Sequence, residues 1–142
     1  MTAKNRHELS VADLMSTDML TLRRNDTLLI ADELMKQKRV RHLPVLDENG
    51  ELCGMVTQRD LFRGAVLTSL GYGSRAEEMM LASLAVKDAM TENPITVTSA
   101  LSLEDAARLM LTHSIGSLPV IDGGRLVGIL TEGDFVRLAI SE

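Results

Sequence analysis

Apolar positions at helical spacing occur twice in the chain, each time followed by two short strand-like runs. In each helix, three apolar residues stand at positions 0, 3 and 7, which places them on one face. The first helix is predicted to begin near Asp26 or Thr27 and the second at Ser102, because these residue types suit an N-cap. The matched apolar residues are Leu28, Ala31 and Met35 in the first helix and Leu103, Ala106 and Met110 in the second.

The strand-like runs predict a hairpin after each helix. Residues 42–46 and 52–57 flank the turn Glu48-Asn49-Gly50, and Asp122-Gly123-Gly124 forms the matching turn in the second hairpin. Glycine-containing turns between apolar runs are typical of β-hairpins. The other predicted elements are short helices at residues 10–15 and 86–90, strands at 20–22 and 95–97, and closing helices at about 58–68 and 133–140.

The two halves are copies of one pattern. Residues 40–61 are echoed by residues 115–135, with Leu-Pro-Val, Gly, Thr and Asp at matching places. The offset is 75 residues up to Asp122 and 74 after it, because the second turn is one residue shorter. Units of roughly sixty residues are small for independent folding. We therefore expect the two repeats to pack about a pseudo-twofold axis and to share one core.

This organisation predicts an α/β (α+β) fold with two β-α-β-β-α repeats, each preceded by a short lead-in helix. We place a flexible N-terminus at residues 1–9, the first repeat at 10–68, a linker with a helix at 69–85, and the second repeat at 86–142. Ser74 and Glu77 have the spacing of a capping box for the linker helix, which we expect to run to about Leu84.

Composition narrows the functional classes. The chain has 142 residues, 45% of them hydrophobic, and a formal net charge of −5. That charge disfavours general binding to a phosphate backbone, and two Phe, one Tyr and no Trp leave few platforms for stacking bases. No run is long enough to predict a membrane-spanning helix, and the single cysteine, Cys53, excludes an intrachain disulfide. We expect a soluble cytoplasmic protein.

A threonine and an aspartate three residues apart follow each hairpin, at the start of the closing helix. These pairs are Thr57 with Asp60 and Thr131 with Asp134. A carboxylate can accept two hydrogen bonds from the vicinal hydroxyls of a ribose, and a helix start suits phosphate oxygens. The same spacing is also nearly a capping box, which would stabilise the fold with no ligand. Gly54 and Gly128, three residues before each threonine, would let a ligand approach the backbone.

The duplicated Leu-Pro-Val-x-Asp and Gly-x-x-Thr-x-x-Asp motifs resemble those of tandem cystathionine-β-synthase (CBS) domains, also called a Bateman module. The resemblance covers roughly residues 10–138. It implies repeats packed sheet against sheet, two clefts that bind adenosine nucleotides (AMP, ADP or ATP, with S-adenosylmethionine also possible) and a flat homodimer. It does not identify the effector protein that such a module would regulate.

The resemblance also implies a set of binding residues. Basic side chains near phosphate groups are matched by Arg41, His42 and Arg59, which become Gly116, Ser117 and Gly133 in the second repeat. We therefore expect two sites of unequal affinity. The positions that line the base pocket are equally consistent with ordinary sheet core. They are Thr21, Leu22, Val40, Thr96, Val97 and Ile115. Pro44 and Pro119 are further candidates: because proline lacks an amide donor, we expect each to lie at a sheet edge, at a bulge or beside a ligand.

Two functions remain in competition. The first is a non-catalytic sensor that binds an adenine nucleotide and signals through conformation or oligomeric state. The second is a ligand-independent module for dimerisation or docking on a partner protein. An enzyme is disfavoured, because the three histidines and Cys53 lack metal-ligand spacing and no nucleophile with an adjacent base is evident.

Overall fold

The computed structural model describes residues 5–62 and 73–141 and has the predicted mixture of helices and strands. In chain order the elements are a 3-10 turn at Arg6–Glu8, α1 at Val11–Leu14, β1 at Leu22–Arg23, α2 at Leu28–Lys38, β2 at His42–Leu46, β3 at Leu52–Thr57, α3 from residue 58 and described through residue 62, α4 at Gly73–Ser83, α5 at Val86–Ala89, β4 at Thr91–Glu92, α6 at Leu103–His113, β5 at Ser117–Asp122, β6 at Arg125–Thr131 and α7 at Glu132–Ile140.

The chain divides into two compact units that are not simple halves. The central unit consists of residues 20–94, and the terminal unit combines residues 1–19 with residues 95–142. Each unit thus includes the lead-in helix of the other sequence repeat: α1 belongs to the terminal unit and α5 to the central unit. The repeat boundaries at 10–68 and 86–142 describe the periodicity of the sequence and stay a prediction.

The central unit is built on a sheet in the order β1-β2-β3-β4. Strand β1 is parallel to β2, and the other neighbours are antiparallel. The core lies between this sheet and the helices, and Leu22, Leu28 and Val86 are fully buried in it. The predicted hairpin of residues 42–46 and 52–57 is confirmed in both strands, with Gly50 at a φ of 78° in the turn.

The terminal unit has the matching hairpin, β5 with β6. Gly123 and Gly124 form its turn with φ values of 57° and 79°, as two-residue hairpin turns require. Its own core contains Val11 from α1 together with the buried faces of α6 and the hairpin. Ser102 caps α6 by accepting a hydrogen bond from the Asp105 amide at 3.1 Å, and Thr27 caps α2 in the same way.

The strand predicted at residues 95–97 is wrong. Only Val97 pairs, in a single parallel bridge with Val120. Its amide donates to the Pro119 carbonyl at 3.1 Å, and its carbonyl accepts from the Ile121 amide at 2.8 Å. Extending this ladder toward Ile95 would need a donor on the nitrogen of Pro119, which proline lacks. The pairing therefore stops after one residue.

The same constraint moves β1. The sequence predicted a strand at residues 20–22, whereas the pairing begins at Leu22, opposite Val45, and ends at Arg23. Pro44 precedes Val45 and offers no donor for the preceding step. Pro44 itself lies in register opposite Met55, and the β2–β3 register shifts between Val45 and Leu46, so Pro44 is one residue away from a bulge.

The helix boundaries follow the caps. The predicted helix after Thr57 begins as expected, and its predicted end near residue 68 lies outside the described residues. Helix α4 ends at Ser83, one residue before the predicted end of the linker helix. Across the described ranges, none of the helices has the length and hydropathy that a membrane crossing requires.

Gly54 and Gly128 admit neighbouring backbone, not a ligand as the sequence suggested. A Cβ added to Gly54 would lie 2.4 Å from the Met90 sulfur and 3.0 Å from the Thr91 carbonyl oxygen. A Cβ on Gly128 would meet the Met15 sulfur at 2.7 Å and the Ser16 carbonyl oxygen at 3.0 Å. Both glycines therefore allow the chain that follows a lead-in helix to lie against the hairpin.

Substitution of either glycine with alanine should destabilise the protein. We expect Gly54→Ala and Gly128→Ala each to lower the free energy of unfolding by about 1–3 kcal/mol, because the methyl group overpacks against backbone that cannot rotate away. Urea denaturation would measure this. Gly133→Ala is the control, since its nearest contact would be 3.4 Å away and alanine favours a helix. A loss of stability in the control as large as in the other two would contradict this steric explanation.

Candidate functional site

The Thr57–Asp60 pair lies where β3 leads into α3. The Asp60 Oδ2 atom accepts hydrogen bonds from the Thr57 amide at 2.7 Å and from the Thr57 hydroxyl at 3.1 Å. The Asp60 amide in turn donates to the Thr57 hydroxyl oxygen at 3.4 Å. These reciprocal bonds form a capping box, which satisfies amides at the helix start that have no intrahelical partner.

The Thr131–Asp134 pair repeats this geometry where β6 leads into α7. The Asp134 Oδ2 atom accepts from the Thr131 amide at 2.8 Å and from its hydroxyl at 3.3 Å. The second carboxylate oxygen, Oδ1, accepts from the Arg137 guanidinium at 2.5 Å. Asp134 is only 5% exposed, so this ion pair compensates a charge that is largely removed from water.

The capping role is therefore real in both units. In each, Oδ2 is held by the preceding threonine, which fixes the orientation of the carboxylate plane. The position of Oδ1 follows from that orientation, as a ligand-binding group requires. Capping uses Oδ2 of each aspartate, so it does not by itself exclude a ligand hydrogen bond to Oδ1.

Sequence reasoning missed Arg137. Its signal was the same spacing of three that links each threonine to its aspartate, since residues three apart on a helix are neighbours. The first repeat has Arg63 at the matching position, three residues after Asp60. Arg63 lies outside the described residues.

The basic candidates lie close to Thr57 in the central unit. His42 stands directly opposite Thr57 in the β2–β3 ladder. The Arg41 carbonyl accepts a hydrogen bond from the Gln58 amide at 2.9 Å, which ties the start of β2 to the start of α3. Arg41 and Arg59 are exposed. In the terminal unit the matching backbone bond joins the Glu132 amide to the carbonyl of Gly116. Gly116 matches Arg41, so this position has no cationic side chain in the terminal unit.

The proposed base-pocket positions differ in exposure. Leu22 and Val97 are buried in the cores of their units, as expected for ordinary core residues. Thr21, Thr96 and Val40 are exposed. Ile115 is half-buried, and Pro44 and Pro119 are fully buried. Leu22 and Val97 could therefore reach a ligand only through their backbone.

The candidate residues are divided between the two units. The central unit holds Thr21, Leu22, Val40, Arg41, His42, Pro44, Thr57, Arg59 and Asp60, and the terminal unit holds Thr96, Val97, Ile115, Pro119, Thr131 and Asp134. The described residues contain no cluster of three or more potential His, Cys, Asp or Glu metal ligands. Cys53 packs beside the central core, and burial raises the pKa of its thiol, which disfavours a reactive thiolate.

Comparison with known proteins identifies what the chain resembles. The family model for the CBS domain matches residues 11–66 and 86–141. A CBS domain-containing protein of Dictyostelium discoideum is 33% identical over 131 residues, which cover 92% of this chain and 90% of the relative. The crystal structure of CBSX2 in complex with AMP has 34% identity and a TM-score of 0.76, covering 93% of this chain and 97% of that chain.

A second solved structure has different adenosine compounds bound. It is the CBS domain pair of protein MJ0100 in complex with 5′-methylthioadenosine and S-adenosyl-L-methionine. Its identity to this chain is 27% and its TM-score 0.75, with 92% of this chain and 94% of that chain covered.

Proposed function

Because the chain belongs to the CBS-domain family and carries two copies of the domain, we propose that it is a non-catalytic regulatory module that binds an adenosine nucleotide. Family membership accounts for the resemblance found in the sequence. The similar structures with AMP and with S-adenosyl-L-methionine support an adenosine-containing ligand. Among adenosine-containing ligands we favour the nucleotides AMP, ADP and ATP.

The observation that carries the proposal is the pair of pre-oriented carboxylates. Asp60 and Asp134 each have Oδ2 held by a threonine at a helix start. A ribose presents two vicinal hydroxyl donors, which a carboxylate can accept together. At Asp134 the ribose would take the place of Arg137, whose side chain is 68% exposed and can move into solvent.

The charges support two sites of unequal affinity. Arg41, His42 and Arg59 lie in the central unit, beside Thr57, and the terminal unit has no cation at the matching positions. Guanidinium groups suit the multiple charges of a nucleotide's phosphates. We assign the tighter phosphate binding to the site that uses Arg41 and Arg59, whichever carboxylate holds the ribose.

Signalling would follow from a difference in affinity between two states of the protein. A ligand shifts a conformational or oligomeric equilibrium only by that difference. We expect the responding species to be a homodimer, as the family resemblance implies, with an effector protein downstream.

A calorimetric panel tests this function most directly. Titration with AMP, ADP, ATP and S-adenosylmethionine should give saturable binding for at least one of them, with unequal stepwise constants. At a concentration 100 times its dissociation constant, that ligand should stabilise the protein by about 2.7 kcal/mol, visible as a rise in melting temperature. No heat and no thermal shift with all four would refute the proposal.

One observation favours a docking module as the alternative. Apolar side chains of the terminal unit project into solvent from α6 and α7: Leu111 is 81% exposed, Val136 63% and Ile140 80%. Exposed apolar surface of this kind marks protein-binding sites. If gel filtration shows a stable dimer while no nucleotide binds, the docking function is favoured over the sensor.

A further inference from the structure

The central unit has a surface cavity far from Thr57. Its volume is about 570 Å³, within the range of small-molecule sites. It lies where β1 and β2 end, beside Leu46, whereas Thr57 stands opposite His42 at the other end of the hairpin. The cavity is lined by Arg23, Arg24, Asn25, Asp26, Leu46, Asp47, Glu48, Asn49 and Lys87.

The cations of this cavity are not used by the fold. Arg23, Arg24 and Lys87 are all exposed, and none forms an ion pair within residues 5–62 and 73–141. The backbone holds two of them together, because the Lys87 amide donates to the Arg24 carbonyl at 3.0 Å.

Two of the three acids that line the cavity are engaged with the protein's own backbone. The Asp26 Oδ2 atom accepts from the Arg23 amide at 2.8 Å. The Asp47 Oδ1 atom accepts from the Asn49 amide at 2.8 Å and the Glu51 amide at 3.0 Å. These bonds direct the two carboxylates at backbone amides of turns, and neither carboxylate forms an ion pair with Arg23, Arg24 or Lys87, so the donor groups of the three cations are left for a ligand.

The terminal unit provides an internal comparison. There the Ala12 amide donates to the Ser99 carbonyl at 2.9 Å, and the Val11 amide to the Leu101 carbonyl at 2.8 Å. The same two bonds in the central unit join Lys87 to Arg24 and Val86 to Asp26. The backbone is thus repeated, but the residues matching Arg23, Arg24 and Lys87 are Thr98, Ser99 and Ala12.

The matching acid also behaves differently in the two units. In the terminal unit, the Ser99 amide and hydroxyl donate to Asp122 at 3.0 and 2.5 Å, and these bonds lower the pKa of that carboxyl. In the central unit, Asp47 matches Asp122 and Arg24 matches Ser99. The serine that hydrogen-bonds to the aspartate in the terminal unit is therefore replaced by a cation in the central unit. The terminal unit therefore forms the same backbone arrangement without these cations, so the arrangement itself does not require them.

The geometry points to a binding site for the phosphate group of a small phosphorylated molecule, held by Arg23, Arg24 and Lys87. Arginine forks and a lysine ammonium suit phosphate oxygens, and the side-chain amides of Asn25 and Asn49 offer hydrogen bonds to the hydroxyl groups of the same ligand. This site is separate from the nucleotide site and does not depend on it.

Residue-resolved NMR titration tests the site. We would add ribose 5-phosphate, inorganic phosphate and unphosphorylated ribose to the full chain at constant ionic strength. Ribose 5-phosphate should cause saturable shifts in the amides of residues 23–26, 47–49 and 87, and ribose should not. The variant Arg23→Thr, Arg24→Ser, Lys87→Ala carries the terminal unit's residues on the same backbone, so it should fold, and it should bind about tenfold more weakly or worse.

A second triple variant separates a specific site from general charge. Lys38→Ala, Arg108→Ala, Arg125→Ala removes the same formal charge elsewhere on the chain and should change the affinity for ribose 5-phosphate by less than about twofold, because these side chains do not line the cavity. The inference is overturned if both triple variants weaken binding equally, if the shifts do not saturate, or if ribose binds as well as its phosphate. Shifts confined to Arg41, Thr57 and Arg59 would also overturn it, while leaving the nucleotide proposal intact.

Discussion

Replacing Val11 with aspartate should destabilise the terminal unit, and replacing Val86 with aspartate should destabilise the central unit. Both valines are fully buried, Val11 in the core that α6 and the β5–β6 hairpin form and Val86 in the core of the other unit. An unpaired carboxylate in such a place costs on the order of 3 kcal/mol or more. Hydrogen exchange followed by mass spectrometry would locate the loss of protection.

The pattern of exchange discriminates between two ways of dividing the chain. If the compact units are as described, Val11→Asp removes protection mainly from residues 95–141, although Val11 belongs to the first sequence repeat. Val86→Asp should act mainly on residues 20–62. Val136→Asp, at a side chain that is 63% exposed, is the control and should change little. Loss confined to each variant's own sequence repeat would contradict the exchange of lead-in helices.

Removing the carboxylates at the two helix starts should abolish tight nucleotide binding. We expect Asp60→Ala and Asp134→Ala each to weaken the affinity of the site concerned by roughly 5- to 150-fold, because ribose hydroxyls would be left without acceptors. The double variant should lose binding at both sites. Isothermal titration with the ligand that binds best in the panel would measure the change.

A capping box elsewhere in the chain gives a matched control. At the start of α1, the Asp13 Oδ2 atom accepts from the Ser10 amide at 2.9 Å and from its hydroxyl at 3.1 Å, as Asp60 and Asp134 do from their threonines. Asp13→Ala should therefore lose about 0.5–2 kcal/mol of stability with no change in nucleotide affinity. If all three variants lose stability and none loses affinity, the aspartates serve only their helices.

Local signals predicted the elements well. The strands at residues 42–46 and 52–57 were predicted to the residue, since a glycine turn between apolar runs limits the register. Thr27 and Ser102 cap their helices as expected. The strand starts at residues 20 and 95 were placed too early, because the missing donor of a proline in the neighbouring strand ends each parallel ladder. That effect arises from pairing between distant residues, and the strand's own sequence does not contain it.

The composition of each core was beyond the reach of local pattern. The sequence predicted α1 and α5 as short helices, but it did not indicate which core each of them packs into. The cavity of the central unit was missed for a similar reason, since Arg24, Asp47 and Lys87 come from three separate stretches. The Thr-x-x-Asp pairs were found because their members are close in sequence, and the structure assigns their capping hydrogen bonds to the Oδ2 atom of each aspartate.

The allocation of the lead-in helices has a consequence for proteolysis. A single cut within residues 63–72 would leave an N-terminal fragment with α1 but without α5, and a C-terminal fragment with α5 but without α1. Each fragment would then carry one piece of the other's core and lack a piece of its own. We expect such fragments to be insoluble when produced singly and to regain a native fold only when they are mixed.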